Sequence, residues 1–280
     1  MLRFLYHTAP GRLLLKPLCS RTVSRLAGAF LDSPLSRPLI KPFVRSQHID
    51  LSEYESDSFR CFNDCFARRI RPGLRPVDPD PEALIAPCDG LLTVYPIRQD
   101  TVLPVKQSSY TISSLMEDPD LARRYEGGLC LVFRLCVNHY HRYCYAESGH
   151  KGGNVFIPGQ LHTVRPIALE ALPVFVRNCR EYTVIDTATF GPILQMEVGA
   201  MLVGKIRNYH GEGEVRRGEE KGRFLYGGST VILLLEKDRA VLPEELIRAS
   251  ARGEETPVQM GQRIGCAPSA SSDTPTPASL

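Results

Sequence analysis

The stretch Gly227-Gly228-Ser229-Thr230, followed at once by Val231-Ile232-Leu233-Leu234-Leu235, combines a hydroxyl nucleophile with a backbone that can be approached closely. Two glycines allow a tight turn and leave the Gly228 carbonyl open. The five apolar residues read as a buried strand that would hold the Ser229 hydroxyl in place. A serine pinned against the carbonyl of its own preceding residue can attack it, which is the geometry a chain needs to cut itself. The same four residues also suit an ordinary turn before a strand. A serine nucleophile needs a base. The candidates are Asp89 in Cys88-Asp89-Gly90, which otherwise reads as a turn acid before a strand, and His139 and His141 in His139-Tyr140-His141-Arg142-Tyr143-Cys144. On a strand, residues 139 and 141 would share a face. His139, His141, Cys144 and His150 carry zinc-binding atoms, but their spacing matches no standard finger or metalloprotease signature, so no metal is expected.

The elements that must position these groups fall into two parts. Residues 1–75 read mainly as helix, with breaks or helix starts at Asp32-Ser33-Pro34 and Ser36-Arg37-Pro38 and helical character from Ser52 to Ile70. Pro76, Pro79 and Pro81 form a rigid connector. Short apolar runs bounded by turn residues then predict strands at Leu91–Ile97, Leu129–Val137, Val155–Ile157, Val174–Val176, Thr183–Ile185, Ile193–Val198, Ala200–Ile206 and Val231–Leu235. A helical insertion is expected around Ser113–Tyr125, and residues 266–280, rich in Ala, Ser, Thr and Pro, are expected to be disordered. The fold class is α+β: a helical, membrane-proximal region (1–75), a β-rich catalytic body (76–265) and a tail (266–280).

With 280 residues and 43% hydrophobic content, the chain can build a sizeable core, and a net charge of +3 is too small to imply nucleic-acid binding. Nine cysteines at irregular spacing, with no Cys-x-x-Cys pair, read as reduced thiols. No apolar run approaches the ~20 residues needed to span a bilayer. The segment Met1–Leu31 has no acid and five bases, Arg3, Arg12, Lys16, Arg21 and Arg25, set among apolar residues. It reads as a surface segment for an anionic membrane, with an amphipathic helix packed on the core as the alternative.

The segment Gly222-Arg223-Phe224-Leu225-Tyr226-Gly227-Gly228-Ser229-Thr230-Val231 resembles the processing site of the pyruvoyl-dependent phosphatidylserine decarboxylases. Similar matches occur in Glu197-Val198-Gly199-Ala200-Met201-Leu202-Val203-Gly204-Lys205-Ile206, Met260-Gly261-Gln262-Arg263-Ile264-Gly265, Ala86-Pro87-Cys88-Asp89-Gly90, Tyr140-His141-Arg142-Tyr143, and Phe62-Asn63-Asp64 through Arg75-Pro76. They run in order from about residue 3 to residue 265.

The resemblance implies that Ser229 attacks the Gly228 carbonyl and that the resulting ester eliminates. A covalent pyruvoyl group derived from Ser229 would then head the smaller of two chains. This cofactor would form a Schiff base with phosphatidylserine and release CO2 to give phosphatidylethanolamine. It implies catalytic roles for Ser229, His141 and Asp89. Where the family reads Asp-Tyr-His-Arg-x-His, this chain has His139 for the aspartate and Cys144 for the second histidine, so His141 is expected either to serve both cleavage and decarboxylation or to share the work with His139, which otherwise reads as a surface residue. Lys106, Arg142 and Arg165 are candidates to meet the lipid phosphate. The implied partners are the lipid substrate, the membrane surface, the large and small chains of one precursor, and a second copy of the chain in a homo-oligomer. The implied location is peripheral, on the cytoplasmic face of a bacterial cell membrane. Competing readings are a pyruvoyl decarboxylase of another amino-acid head group and a non-cleaving lipid-binding module.

Overall fold

A computed structural model of the chain describes residues 21–98, 111–159, 174–199, 206–225 and 229–268, together with Thr8, Pro10 and Leu13. Among the described residues, the N-terminal arm contains α1 (Arg21–Leu31), a 3-10 turn at Pro34–Leu39 and α2 (Ile40–Ser46). The expected break at Asp32-Ser33-Pro34 separates the first two. The second expected break lies inside the 3-10 turn, which holds Pro38.

From Ser52 to Ile70 the helix expected is confined to α3 (Phe62–Phe66). The reason is local. The Ser56 hydroxyl accepts from Ser58 N–H at 3.2 Å and donates to Ser58 O at 2.6 Å, which offers the backbone an alternative to helix. An isolated bridge between Tyr54 and Ile70 then closes the segment as a loop.

The body contains β1 (Ala83–Ile85), β2 (Gly90–Pro96), α4 (Ile112–Met116), α5 (Pro119–Arg123), β3 (Leu129–Leu135), β4 (Arg142–Cys144), β5 (Gly149–Lys151) and β6 (Val155–Ile157). It continues with α6 (Val174–Arg177), β7 (Arg180–Thr187), β8 (Gly191–Val198), β9 (Ile206–Asn208), β10 (Gly213–Val215), β11 (Glu220–Phe224) and β12 (Ser229–Leu235). α7 (Glu244–Ala251), β13 (Thr256–Val258) and β14 (Arg263–Cys266) complete it.

A large antiparallel sheet has the order β10-β5-β7-β8-β12-β3-β2-β13, with β6 also on β7. A smaller sheet, β4-β11-β9, and the pair β1-β14 accompany it. The continuous apolar run of β12 follows from its place between β8 and β3, with both faces covered. Ile232 and Leu234 join a core with Ile112, Leu115 and Phe175. Val231, Leu233 and Leu235 join a second core with Tyr143, Phe224 and Leu246. Each such buried side chain contributes about 1.5–3 kcal/mol.

Two further expectations change. Val174–Val176 is helical, in α6, because a short apolar run does not by itself distinguish strand from helix; Val174 and Phe175 are buried in the core that holds Leu115 and Met116. β14 extends to Cys266, which pairs with Ala83. Residues 269–280 of the expected tail, and 200–205 of the strand expected at Ala200–Ile206, lie outside the described residues. The helical insertion takes the form of α4 and α5.

Candidate active site

Ser229 is the first residue of β12, so the strand begins at the hydroxyl itself rather than two residues later. It lies opposite Leu135, the last residue of β3, and is 2% exposed. Thr230 lies opposite Val198, the last residue of β8. On the next strand over, Leu91 pairs with Arg134 and Gly90 pairs with Val258 of β13. The starts of β12 and β2 and the ends of β3 and β8 therefore gather at one end of the sheet. Strand alternation puts the Ser229 side chain on the face shared by Val231 and Leu233. That face is turned toward the layer containing Phe224 and Tyr143. Gly227 and Gly228 lie outside the described residues.

The chain between β3 and β4 carries the histidines. His139 sits in a turn closed by its own N–H donating to Cys136 O at 2.9 Å. Residues 139 and 141 therefore do not share a strand face, contrary to expectation: the turn separates them and gives them different environments. His139 is half-buried rather than a plain surface residue, and its Nδ1 accepts from Cys136 N–H at 3.1 Å. Burial holds its pKa below the usual histidine range.

His141 is fully buried, its ring 4.0 Å from the Phe66 ring of α3. Its own carbonyl accepts from Phe224 N–H at 2.9 Å, which fixes it beside the strand leading to Ser229. His141 Nδ1 lies 2.9 Å from the His139 carbonyl oxygen, which can only accept. Burial, and next the Arg68 charge, push its pKa down to about 3. The ring is thus neutral at pH 7 with its proton on Nδ1, which leaves the Nε2 lone pair as the basic position. That Nε2 is buried and has no hydrogen-bond partner among the described residues.

Asp89 immediately precedes β2. A Cβ on Gly90 would stand 3.2 Å from the Arg134 carbonyl oxygen, so the small residue lets β2 start close against β3. The Asp89 carboxylate is gripped by a two-pronged contact from Arg75, Nε to Oδ1 at 2.8 Å and Nη2 to Oδ2 at 2.7 Å. Oδ1 also accepts from Met260 N–H at 2.9 Å. Asp89 and His139 both line a cleft of about 330 Å³, with Glu53, Tyr54, Arg75 and Gln259. The fully buried His141 does not line it.

The remaining candidates separate from this centre. Burial pushes the Cys144 thiol up to about 12, so it stays protonated at neutral pH and supplies no base. His150 lies on β5, exposed, paired with Glu214 at 2.9 Å. Arg142 is occupied internally, donating to Ala67 O at 2.9 Å and Glu220 at 2.6 Å. Lys106 and Arg165 lie outside the described residues. Among the described residues no cluster of three or more His, Cys, Asp or Glu side chains is placed to share a metal, and no helix is long and apolar enough to cross a membrane. Two neighbours of His141, Phe66 and Arg68, were not anticipated as site residues. The Phe62-Asn63-Asp64 motif pointed to their segment but not to their contacts.

The sequence pattern of the family described as phosphatidylserine decarboxylase matches residues 62–266, which takes in α3, both histidines, Asp89 and Ser229. The chain is 42% identical over 265 residues to "Phosphatidylserine decarboxylase proenzyme 2" of Clostridium acetobutylicum, covering 94% of this chain and 91% of that one. It is 40% identical over 271 residues to a "Phosphatidylserine decarboxylase proenzyme" of Ruminiclostridium cellulolyticum, covering 95% and 90%. A proenzyme of the same name from Clostridium perfringens is 41% identical over 247 residues, covering 86% and 84%. By pattern and by identity along nearly its whole length, the chain belongs to the phosphatidylserine decarboxylase family.

Proposed function

We propose that the chain is a self-processing phosphatidylserine decarboxylase that cuts itself between Gly228 and Ser229. The observation that carries this reading is the placement of Ser229. It is a buried hydroxyl at the head of the central strand, directly after two glycines, on the face turned toward the layer beside His141. The β3 ladder restrains the Ser229 backbone, and the glycines leave the preceding carbonyl approachable. Ser229 Oγ attacks that carbonyl while His141 Nε2 takes the hydroxyl proton. The His139 carbonyl keeps the His141 proton on the far nitrogen. Asp89 acts from the neighbouring cleft, its position set by Arg75 and the Met260 N–H.

A pyruvoyl group made from Ser229 fits this setting, because the residue that would carry it is held, buried, at a strand end, and His141 keeps a buried ring nitrogen without a hydrogen-bond partner among the described residues. When present, that group supplies an electrophilic carbonyl that draws off the electron pair as carbon dioxide leaves the serine head group. His141 Nε2 is the group of this chain suited to move a proton there.

The lipid surface would meet the arm. Leu26 and Leu35 are 69% and 77% exposed, Phe30 and Leu39 are also exposed, and Arg37, Lys41 and Arg45 lie close by in sequence. Apolar and basic groups together suit a peripheral site on an anionic membrane face.

Intact mass under denaturing conditions tests the central claim. Two species are expected, spanning residues 1–228 and 229–280, the second blocked at its N-terminus. Ser229→Ala should remain whole. A single full-length mass from active, folded protein, or cleavage of the alanine variant at the same bond, would sink the reading.

A further inference from the structure

We propose that Arg68 is a positioning residue for His141: its guanidinium, brought in from the N-terminal arm, braces the main-chain turn whose carbonyl orients the His141 ring. This rests on the role given to His141 above.

Arg68 follows α3 and is 2% exposed. Its Nη2 donates to Asn138 O at 2.8 Å, to Tyr54 Oη at 3.1 Å and to His139 O at 3.3 Å. Nη1 makes longer contacts to Phe66 O at 3.4 Å and Cys65 O at 3.5 Å. The guanidinium also lies 4.3 Å from the centre of the Tyr54 ring, on its face. No carboxylate pairs with it among the described residues, and its Nε has no partner there.

A buried charge satisfied only by neutral oxygens is costly, and arginine does not escape by losing its proton. A core built for stability alone would place an apolar side chain or a carboxylate partner here. What the charge achieves lies at the turn. The oxygen of His139 receives Arg68 on one side and His141 Nδ1–H on the other. A carbonyl has room for both. The turn carbonyls are thereby fixed on the arm, the His141 proton is held on Nδ1, and Nε2 is left to the reaction.

The charge also opposes protonation of the ring. The groups that face His141 are Arg68 from the arm and His139 from its own turn, with the uncharged Phe66 ring against it. Arg142, next in sequence, is turned to Ala67 O and Glu220. Burial is the main cause that keeps the ring neutral, and Arg68 is the principal charge that adds to it.

The test is the pH dependence of self-cleavage in freshly translated precursor. Arg68→Met, which removes both fork and charge, should slow cleavage by on the order of 10- to 100-fold. It should also move the acid limb of the profile to higher pH. Arg68→Lys keeps the charge without the fork, so it should slow cleavage while leaving the acid limb near its parent position. A methionine variant with the parent's rate and profile overturns the proposal. So does a lysine variant with the parent's rate.

If neither variant yields soluble precursor, ring-nitrogen NMR of the Ser229→Ala precursor decides. His141 must be neutral at pH 7 with its proton on Nδ1, and Tyr54→Phe, which removes one Arg68 partner, must shift those ring signals. A charged ring, the other tautomer, or unmoved signals would refute the brace. Failure of the parent to cut at Gly228-Ser229 would instead remove the functional reading, and the NMR measurement would still judge Arg68.

Discussion

Glu197 of β8 and Lys221 of β11 form an ion pair with neither side chain exposed, linking the large sheet to the small one. Asn208 donates to Glu197 at 3.1 Å and accepts from Lys221 at 3.3 Å, while Gln195 donates to Glu197 at 3.4 Å. β8 ends opposite Thr230, and β11 ends five residues before Ser229. Burial, with the Glu181 charge adding to it, raises the Glu197 pKa, and Lys221 is the main influence opposing the shift.

Removing one partner of such a pair strands the other. Lys221→Met and Glu197→Met should each destabilise the fold by about 3–5 kcal/mol. The double variant should recover most of that loss, since two apolar side chains leave no buried charge. Denaturant unfolding of the four proteins in a Ser229→Ala background reads the coupling. Additive losses in the double variant would show that the two residues stabilise the sheets independently.

His141→Ala should slow cleavage by roughly 100-fold or more, the scale of a lost general base. His139→Ala should cleave at close to the parent rate, because the group that orients His141 is the His139 main-chain oxygen, which alanine keeps. Asp89→Asn should slow cleavage, since it weakens the grip of Arg75. Gel analysis of fresh precursor over time distinguishes these. A fast His141 variant beside a slow His139 variant would transfer the base to His139.

His141 also ties stability to pH. The unfolded ring takes a proton near pH ~6.5, whereas the folded ring resists it down to about 3. The folded state therefore binds fewer protons in that window and loses stability as pH falls through it, by up to about 1.4 kcal/mol per pH unit. Above the window there is no penalty. Unfolding free energies of Ser229→Ala precursor between pH 7 and pH 4 should fall more steeply than those of the same protein with His141→Phe. Parallel curves would mean that His141 is not buried as a neutral ring.

Leu26→Glu combined with Leu35→Glu should weaken sedimentation with anionic vesicles, most clearly at low salt, and leave cleavage unchanged. Both side chains are exposed and far from full burial in any core. Undiminished vesicle binding would assign membrane contact to another surface.

Much of this was legible because local patterns carried it. The five-residue apolar run of β12 announced a strand covered on both faces, and two glycines before a serine marked the bond to examine. The break at Asp32-Ser33-Pro34 followed from proline chemistry. What was not legible depends on contacts remote in sequence. α7 was unforeseen, and its Ser250 hydroxyl accepts from Val94 N–H at 2.9 Å, a link no local pattern could announce. Nor could spacing reveal that Phe66 and Arg68 reach the histidine turn, or that this turn places His139 beside the Asp89 cleft and buries His141. Short segments such as Val174–Val176 took the form their neighbours imposed.

The strand that opens at Ser229 occupies the middle of the large sheet, and the same stretch of chain later supplies β13 at its rim and β14 beside β1. A cut before Ser229 therefore alters connectivity without altering adjacency. The severed piece would remain laced through the molecule from centre to edge, and withdrawing it would separate β3 from β8. Maturation of this kind yields two polypeptides that count as one folding unit. They should melt in a single transition, and the shorter one has no independent structure to return to.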